Sequence, residues 1–190
     1  MNFIEYPAYK DSGSSWLGRV PKDWDIEKLK YLCKVNPSGI MKNTASDNLV
    51  SFLPMEKVSE KGTYELDSNR PYEEVATGFT CFANGDVIVA KITPCFENGK
   101  GAMLEGLTNG VGCGSTEFHV LRAIKKKATA KFIYYVTISH LFRNTGQRFM
   151  KGVAGQQRVP ADFIENFSTC LPNISEQNSI VSFLENEIRR

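Results

Sequence analysis

The sequence predicts an α+β fold: a curved, mainly antiparallel sheet with packed helices and a C-terminal helix. Three observations point to it. Asn84-Gly85, Asn98-Gly99 and Asn109-Gly110 punctuate segments rich in β-branched and aromatic residues, and Asn and Gly tolerate the positive φ that tight strand connections need. From Ala130 to Thr145 the apolar residues instead recur every three or four positions, as on one face of a helix. A second stripe at helical spacing follows Ser175.

In chain order, Asp11 to Gly18 and Val20 to Trp24 are turn-rich yet contain two tryptophans, which predicts an irregular arm pinned to the domain by Trp16 and Trp24. Ile26, Leu29, Leu32 and Cys33 fit either a helix or a short strand. Strands are expected at Leu49 to Leu53, Gly78 to Phe82, Asp86 to Ile92, Gly101 to Glu105 and Thr116 to Arg122. The third has a continuous apolar run, Val87 to Ala90, that suits a central position. A helix over Ala130 to Thr145 ends at Asn144-Thr145-Gly146; a glycine-rich basic loop follows, and Pro160 opens a helical turn over Ala161 to Asn166. Ser175 is the expected N-cap of the last helix, with Glu176 at the positive end of its dipole. Its stripe of Ile180, Val181, Leu184 and Ile188 either covers the core or leads into a longer coil.

With 190 residues, 42% hydrophobic, the chain can bury one good core, and a single domain is expected. No apolar run approaches the roughly 18 residues a membrane span needs, and Met1 to Tyr6 lacks a basic region followed by an apolar stretch. A soluble, cytoplasmic protein without membrane contact is the expectation. The five cysteines have no C-x-x-C pair and only His119 and His140 to join them, so they read as small buried residues in a reducing compartment and not as a zinc cage.

Charge is segregated along the chain. Residues 118–161 hold nine basic and no acidic side chains, whereas the remainder has 14 basic against 21 acidic residues. If these cations share a face, they attract phosphate oxygens. Lys125 to Lys127 alone would be a solvated turn; between Arg143 and Arg158, however, cations alternate with Gly146, Gly152 and Gly155 and with Gln147, Gln156 and Gln157. Glycines allow close backbone approach to a phosphate, and Arg and Gln pair with guanine and adenine edges in the major groove. The first-choice contacts are Arg148, Lys151, Gln156, Gln157 and Arg158, followed by Lys91, Thr93, Asn98, Lys100, Ser115 and Thr116. In the loop Lys91 to Lys100, Phe96 either stacks on or wedges between bases, or turns into the core with both lysines solvated.

Catalytic engines are missing from the sequence. Gly110 to Thr116 resembles a phosphate loop, but Gly114 stands where a Walker lysine would be, and the segment reads as a glycine-rich approach to a strand. Asn36-Pro37-Ser38-Gly39 lacks the second proline and the aromatic of an amino-methyltransferase motif, and no acidic-x-Lys nuclease tripeptide occurs. His119, beside Glu117 and near Cys113, reads as a structural histidine.

Four strings together resemble the specificity subunit of type I restriction-modification systems. They are Tyr9 to Gly13 with Trp16-Leu17-Gly18, Pro21 and Trp24; Gly85 to Pro94; Gly114-Ser115-Thr116-Glu117-Phe118; and Gly155-Gln156-Gln157-Arg158-Val159-Pro160 with Leu171-Pro172 and Glu176-Gln177. The resemblance implies one target-recognition domain, 1–174, and the start of a conserved spacer helix, 175–190. It implies a non-catalytic module that reads one half of a bipartite double-stranded DNA site. Partner methyltransferase subunits would bind S-adenosylmethionine, a restriction and translocation subunit would act on the DNA, and a second recognition domain or second copy would read the other half. Ile180, Val181, Leu184 and Ile188 would meet partners. Because the Gln156 to Arg158 string and Ser115-Thr116 recur in such subunits, they are either base contacts or structural residues. The alternatives are a scaffold whose basic window faces an acidic partner and a free-standing DNA-modifying enzyme.

Overall fold

Residues 5–14, 16–39 and 44–188 are described by the computed structural model of the chain. Two four-stranded sheets, where one curved sheet was expected, carry the fold. The first is built from β4 (Cys33–Val35), β8 (Asp86–Ala90), β9 (Gly101–Met103) and β11 (Phe118–Ala123), in the antiparallel order β4-β11-β8-β9. The apolar run of β8 does take an inner position, with all five residues buried. Its side chains alternate between faces, as a strand requires. Val87 and Val89 face a helical layer with Leu121, Phe132, Ile133, Phe142, Phe163 and Val181, while Ile88 packs with Phe118, Val120, Leu53 and Phe82 on the other side.

That other side is closed by the second sheet, ordered β6-β5-β10-β7 from β5 (Leu49–Leu53), β6 (Asn69–Pro71), β7 (Thr80–Ala83) and β10 (Val111–Gly114). One pairing, β5 with β10, is parallel. The glycine-rich string is therefore itself a strand, not an approach to one. A Cβ on Gly114 would lie 1.9 Å from the Leu53 carbonyl oxygen, and one on Gly112 would lie 2.7 Å from a Phe82 ring carbon. Cys81 and Cys113 face each other on β7 and β10 and form a disulfide, which corrects the expectation that all five cysteines are free. Cys33, Cys95 and Cys170 are free thiols.

The ambiguous start of the chain resolves into β3 (Asp25–Lys28), one helical turn α1 (Leu29–Leu32), and β4. Its arm is a hairpin of β1 (Tyr9–Asp11) and β2 (Arg19–Pro21). As expected, tryptophans hold it. Trp16 stacks on Phe167 with ring centroids 6.0 Å apart and donates to the Ser168 carbonyl, and Trp24 packs edge-on against Tyr6, whose hydroxyl donates to Glu176.

The expected helix over Ala130 to Thr145 is two helices, α3 (Ala130–Ile138) and α4 (His140–Gln147). Ser139 breaks them apart with extended backbone, its hydroxyl donating to the Val136 carbonyl and accepting from the Phe142 amide. Periodicity carries across the break because Ser139 is at once the end of one helix and the cap of the next. Nor does Gly146 end a helix. It lies inside α4, where a Cβ would sit 2.4 Å from the Phe96 ring, so it is needed for close packing. After α2 (Tyr72–Val75) in the second-sheet region and α5 (Ala161–Asn166), β12 (Ser168–Leu171) pairs with β3 and leads into α6 (Ile174–Ile188).

The cap of α6 is Asn173, not Ser175: its side-chain oxygen accepts from the Glu176 amide at 3.0 Å. Gln177 is fully buried, accepting from the Thr129 amide and donating to the carbonyls of Lys127 and Pro172, so α6 is tied to the turn that precedes α3. The apolar stripe is used mainly within the chain. Val181 is buried in the core, Ile180 and Leu184 are half-buried, and Ile188 is exposed. No helix among the described residues is long and apolar enough to cross a membrane.

Two polar pairs lie inside this frame. Asp86 is buried and receives two bonds of 2.7 Å from Arg122. His119, also buried, contacts the Val159 carbonyl through Nε2 at 2.9 Å and the Asn36 amide nitrogen through Nδ1 at 3.0 Å. The carbonyl requires the Nε2–H tautomer, which leaves Nδ1 to accept from Asn36. The histidine is structural, as expected, and burial pushes its pKa down.

Three outcomes follow from this packing. Gly114→Ala should lower the unfolding free energy by about 3 kcal/mol in urea titrations, because the Leu53 backbone has to shift to admit the methyl group. Gly78→Ala, with open space but a left-handed backbone, should cost only about 1 kcal/mol. With a folded-state pKa below the ordinary imidazole value of about 6.5, His119 makes the unfolded chain the better proton acceptor. Its contribution is complete above that value and is lost as pH falls through it towards the folded pKa. His119→Gln should remove this part of the pH dependence between pH 8 and 5.

Candidate nucleic-acid interface

Three sequence strings meet where β8 ends and β11 begins. The Lys91 amide donates to the Glu117 carbonyl at 2.8 Å, the Val159 amide donates to the Lys91 carbonyl at 2.8 Å, and the Thr93 amide donates to the Gln157 carbonyl at 2.9 Å. β8 is thus extended past its last residue by bonds to segments 26 and 64 or more residues away in sequence. Arg158 bridges to Ile92 on one side and to Lys151 on the other. Paired backbone bonds of 3.0 and 2.9 Å between Lys151 and Arg158 close residues 151–158 into a hairpin. At its tip the Gln156 amide donates to the Val153 carbonyl at 3.0 Å, and Gly155 has φ of 78°, the positive value that a type II turn demands at its third residue.

Side chains lock the same junction. Arg158 donates through Nε and Nη2 to the Glu117 carboxylate, with a closest approach of 2.7 Å, and through Nη1 to the Gln156 carbonyl at 2.9 Å. The guanidinium fork holds the Glu117 carboxyl below its ordinary range, with a smaller contribution from Lys91, and Glu117 in turn raises the Arg158 pKa. The planar fork suits a carboxylate in a way a lysine cannot match.

The predicted residues therefore divide by use. Arg148, Lys151 and Gln156 are exposed, and their side chains make no hydrogen bond or ion pair among the described residues. Thr116 and Asn98 are exposed on turns, and Lys91 and Gln157 are half-buried beside them. Arg158 is committed to Glu117. The Thr93 hydroxyl donates to the Gln157 carbonyl, Ser115 accepts from the Glu117 amide to shape the turn into β11, and Lys100 donates to the Met55 carbonyl. These four groups build the platform. Phe96 turns into the core, only 1% exposed and packed on Phe142, so it is not a stacking residue.

The basic window does not form one surface. Lys125 to Lys127 follow the far end of β11, where Arg122 holds Asp86, whereas Lys151 and Arg158 lie by its near end. A six-residue strand separates the two groups by roughly 20 Å. Lys131 is paired with Glu185 of α6, and Arg143 donates to the Glu97 carbonyl. Sequence reasoning missed Glu117 as the partner of Arg158, although it stands in the Gly114 to Phe118 string. It also missed the exposed apolar side chains of Phe149 and Val153.

Comparison with known proteins supplies the family. The sequence model described as "Type I restriction modification DNA specificity domain" matches residues 21–189. The chain is 38% identical over 164 residues to the Type I restriction enzyme EcoAI specificity subunit of Escherichia coli and 37% identical over 164 residues to the EcoEI specificity subunit, covering 85% of this chain in each case. It spans 27% of the length of these relatives. Its fold is similar to the HsdS subunit of Thermoanaerobacter tengcongensis, with a TM-score of 0.69 at 22% identity over 90% of this chain and 43% of that one. The S subunit of M. genitalium is similar with a TM-score of 0.53 at 16% identity, covering 86% of this chain and 38% of that one. This chain belongs to the family of type I restriction modification DNA specificity domains.

Proposed function

We propose that residues 1–174 are a target-recognition domain reading one half of a bipartite double-stranded DNA site, and that 175–190 begin a spacer helix. The observation that carries this reading is the exposed trio Arg148, Lys151 and Gln156 beside a hairpin whose base is locked to β8 and Glu117. Cations position the duplex through phosphates, and an amide on a rigid support can pair with an adenine edge, worth about 1 to 3 kcal/mol of discrimination. Lys91, Asn98, Thr116 and Gln157 border the same patch. The module catalyses nothing itself. In a cytoplasmic complex, methyltransferase subunits would supply S-adenosylmethionine chemistry, and a restriction and translocation subunit would act on the DNA. A partner must extrude its target adenine, so this domain holds the flanking duplex during distortion. Ile188 and the apolar groove along Ile180 and Leu184 face such partners or a second recognition domain.

The lone chain should bind duplex weakly, in the micromolar to hundred-micromolar range, with strong salt dependence. Arg148→Ala with Lys151→Ala should reduce the slope of log K against log salt by about 1.8, at roughly 0.9 for each phosphate no longer neutralised, with an unchanged circular dichroism spectrum. Unaltered affinity would favour the scaffold reading, whose acidic partner would sit on Lys125 to Lys127. Arg158→Lys keeps the charge but not the fork. It should weaken binding while leaving the salt slope the same, because the hairpin loosens while every phosphate keeps its cation.

A further inference from the structure

We propose that the hairpin tip is an apolar reading head for the C5-methyl group of a pyrimidine, normally thymine, in the major groove; this rests on the DNA-reading function above. Val153 is 72% exposed, and it stands between Gly152 and Ala154, with Lys151 on one flank and Gln156 on the other. One exposed valine is unremarkable on most surfaces. This one differs because of its mounting. The base of its hairpin is held by paired backbone bonds between Lys151 and Arg158, by the bridge from Arg158 to Ile92, and by the fork on Glu117, so the side chain is presented at a fixed place. Two residues before Lys151, half-exposed Phe149 packs at a tilt against Phe163, with ring centroids 5.2 Å apart, which anchors the chain leading into the hairpin.

Dimensions choose the groove. A two-stranded ribbon fits the major groove of undistorted B-form DNA, about 12 Å wide, whereas the minor groove, at about 6 Å, would first have to be widened. With Arg148 and Lys151 placed for the backbone phosphates, the tip is the part that reaches base edges. The one apolar group on those edges is the methyl at C5 of thymine, which contacts an aliphatic side chain favourably. Gln156 stands three residues from Val153 across the turn, so their Cα atoms are within about 7 Å, or roughly two base steps of 3.4 Å. The methyl-reading position therefore lies within about two base pairs of an adenine paired by Gln156.

The test begins with selection from random-sequence duplexes by the wild-type chain and by Val153→Ser, a change at an exposed position that leaves the unfolding transition in place. Wild type should enrich a motif containing thymine within two base pairs of an adenine. Val153→Ser should lose preference at that thymine only. Deoxyuridine at the thymine, which lacks the methyl, should weaken wild-type binding roughly fourfold, as expected for one buried methyl, and leave Val153→Ser binding unchanged. If both proteins enrich the same motif with equal thymine preference, or if deoxyuridine binds wild type as well as thymine, the methyl-reading role is wrong while DNA reading stands. If wild type enriches no motif, sequence reading itself falls and the inference falls with it.

Discussion

Because Asp86 to Ala90 are buried on both faces, each side chain of β8 commits the chain to a layer: helices against Val87 and Val89, a second sheet against Ile88. Burying a valine or isoleucine contributes about 1.5–3 kcal/mol, so this strand is a large part of what the two layers share. Its first residue costs desolvation unless paired, and Arg122 supplies that partner. Its continuation, Lys91 to Thr93, is where the backbone bonds of the candidate interface begin. The rigid core and the exposed platform are thus one length of chain.

That continuity explains why several residues that look suited to DNA are spent inside the protein. For the base-reading role proposed for this loop, it has to be held still, since disorder at an interface is entropy given up on binding. Arg158, Thr93 and Ser115 supply the holding, through a carboxylate, a carbonyl and an amide. Arg148, Lys151 and Gln156 are left to face outwards. At the opposite end of β11, Gln177 does similar work for α6, tying its start to the turn before α3 through the Thr129 amide and the Lys127 carbonyl.

Much was legible without coordinates. Strand runs such as Leu49–Leu53 and the apolar centre of β8 announce themselves through composition and turn chemistry, α5 through the proline that opens it, and α6 through its apolar period. The break at Ser139 was hidden because the apolar residues keep helical spacing through it. The Gly110 to Thr116 string was misread because strand glycines chosen for close approach resemble loop glycines chosen for flexibility. The cap of α6 was displaced by two residues because Asn173 and Ser175 are both competent cap types, and only geometry shows which side chain reaches the Glu176 amide.

The α+β class, the resemblance to type I specificity subunits and the segregation of positive charge were all present in the order of the residues, because periodicity, turn chemistry and motif order are properties of a chain read in one dimension. Which cations are available was settled in three dimensions. Charges that share one window of sequence were separated to the two ends of β11, and Arg158 met a carboxylate 41 residues away. Pairing of that kind is long-range, set by strand register and layer packing, and no local pattern of residues encodes it.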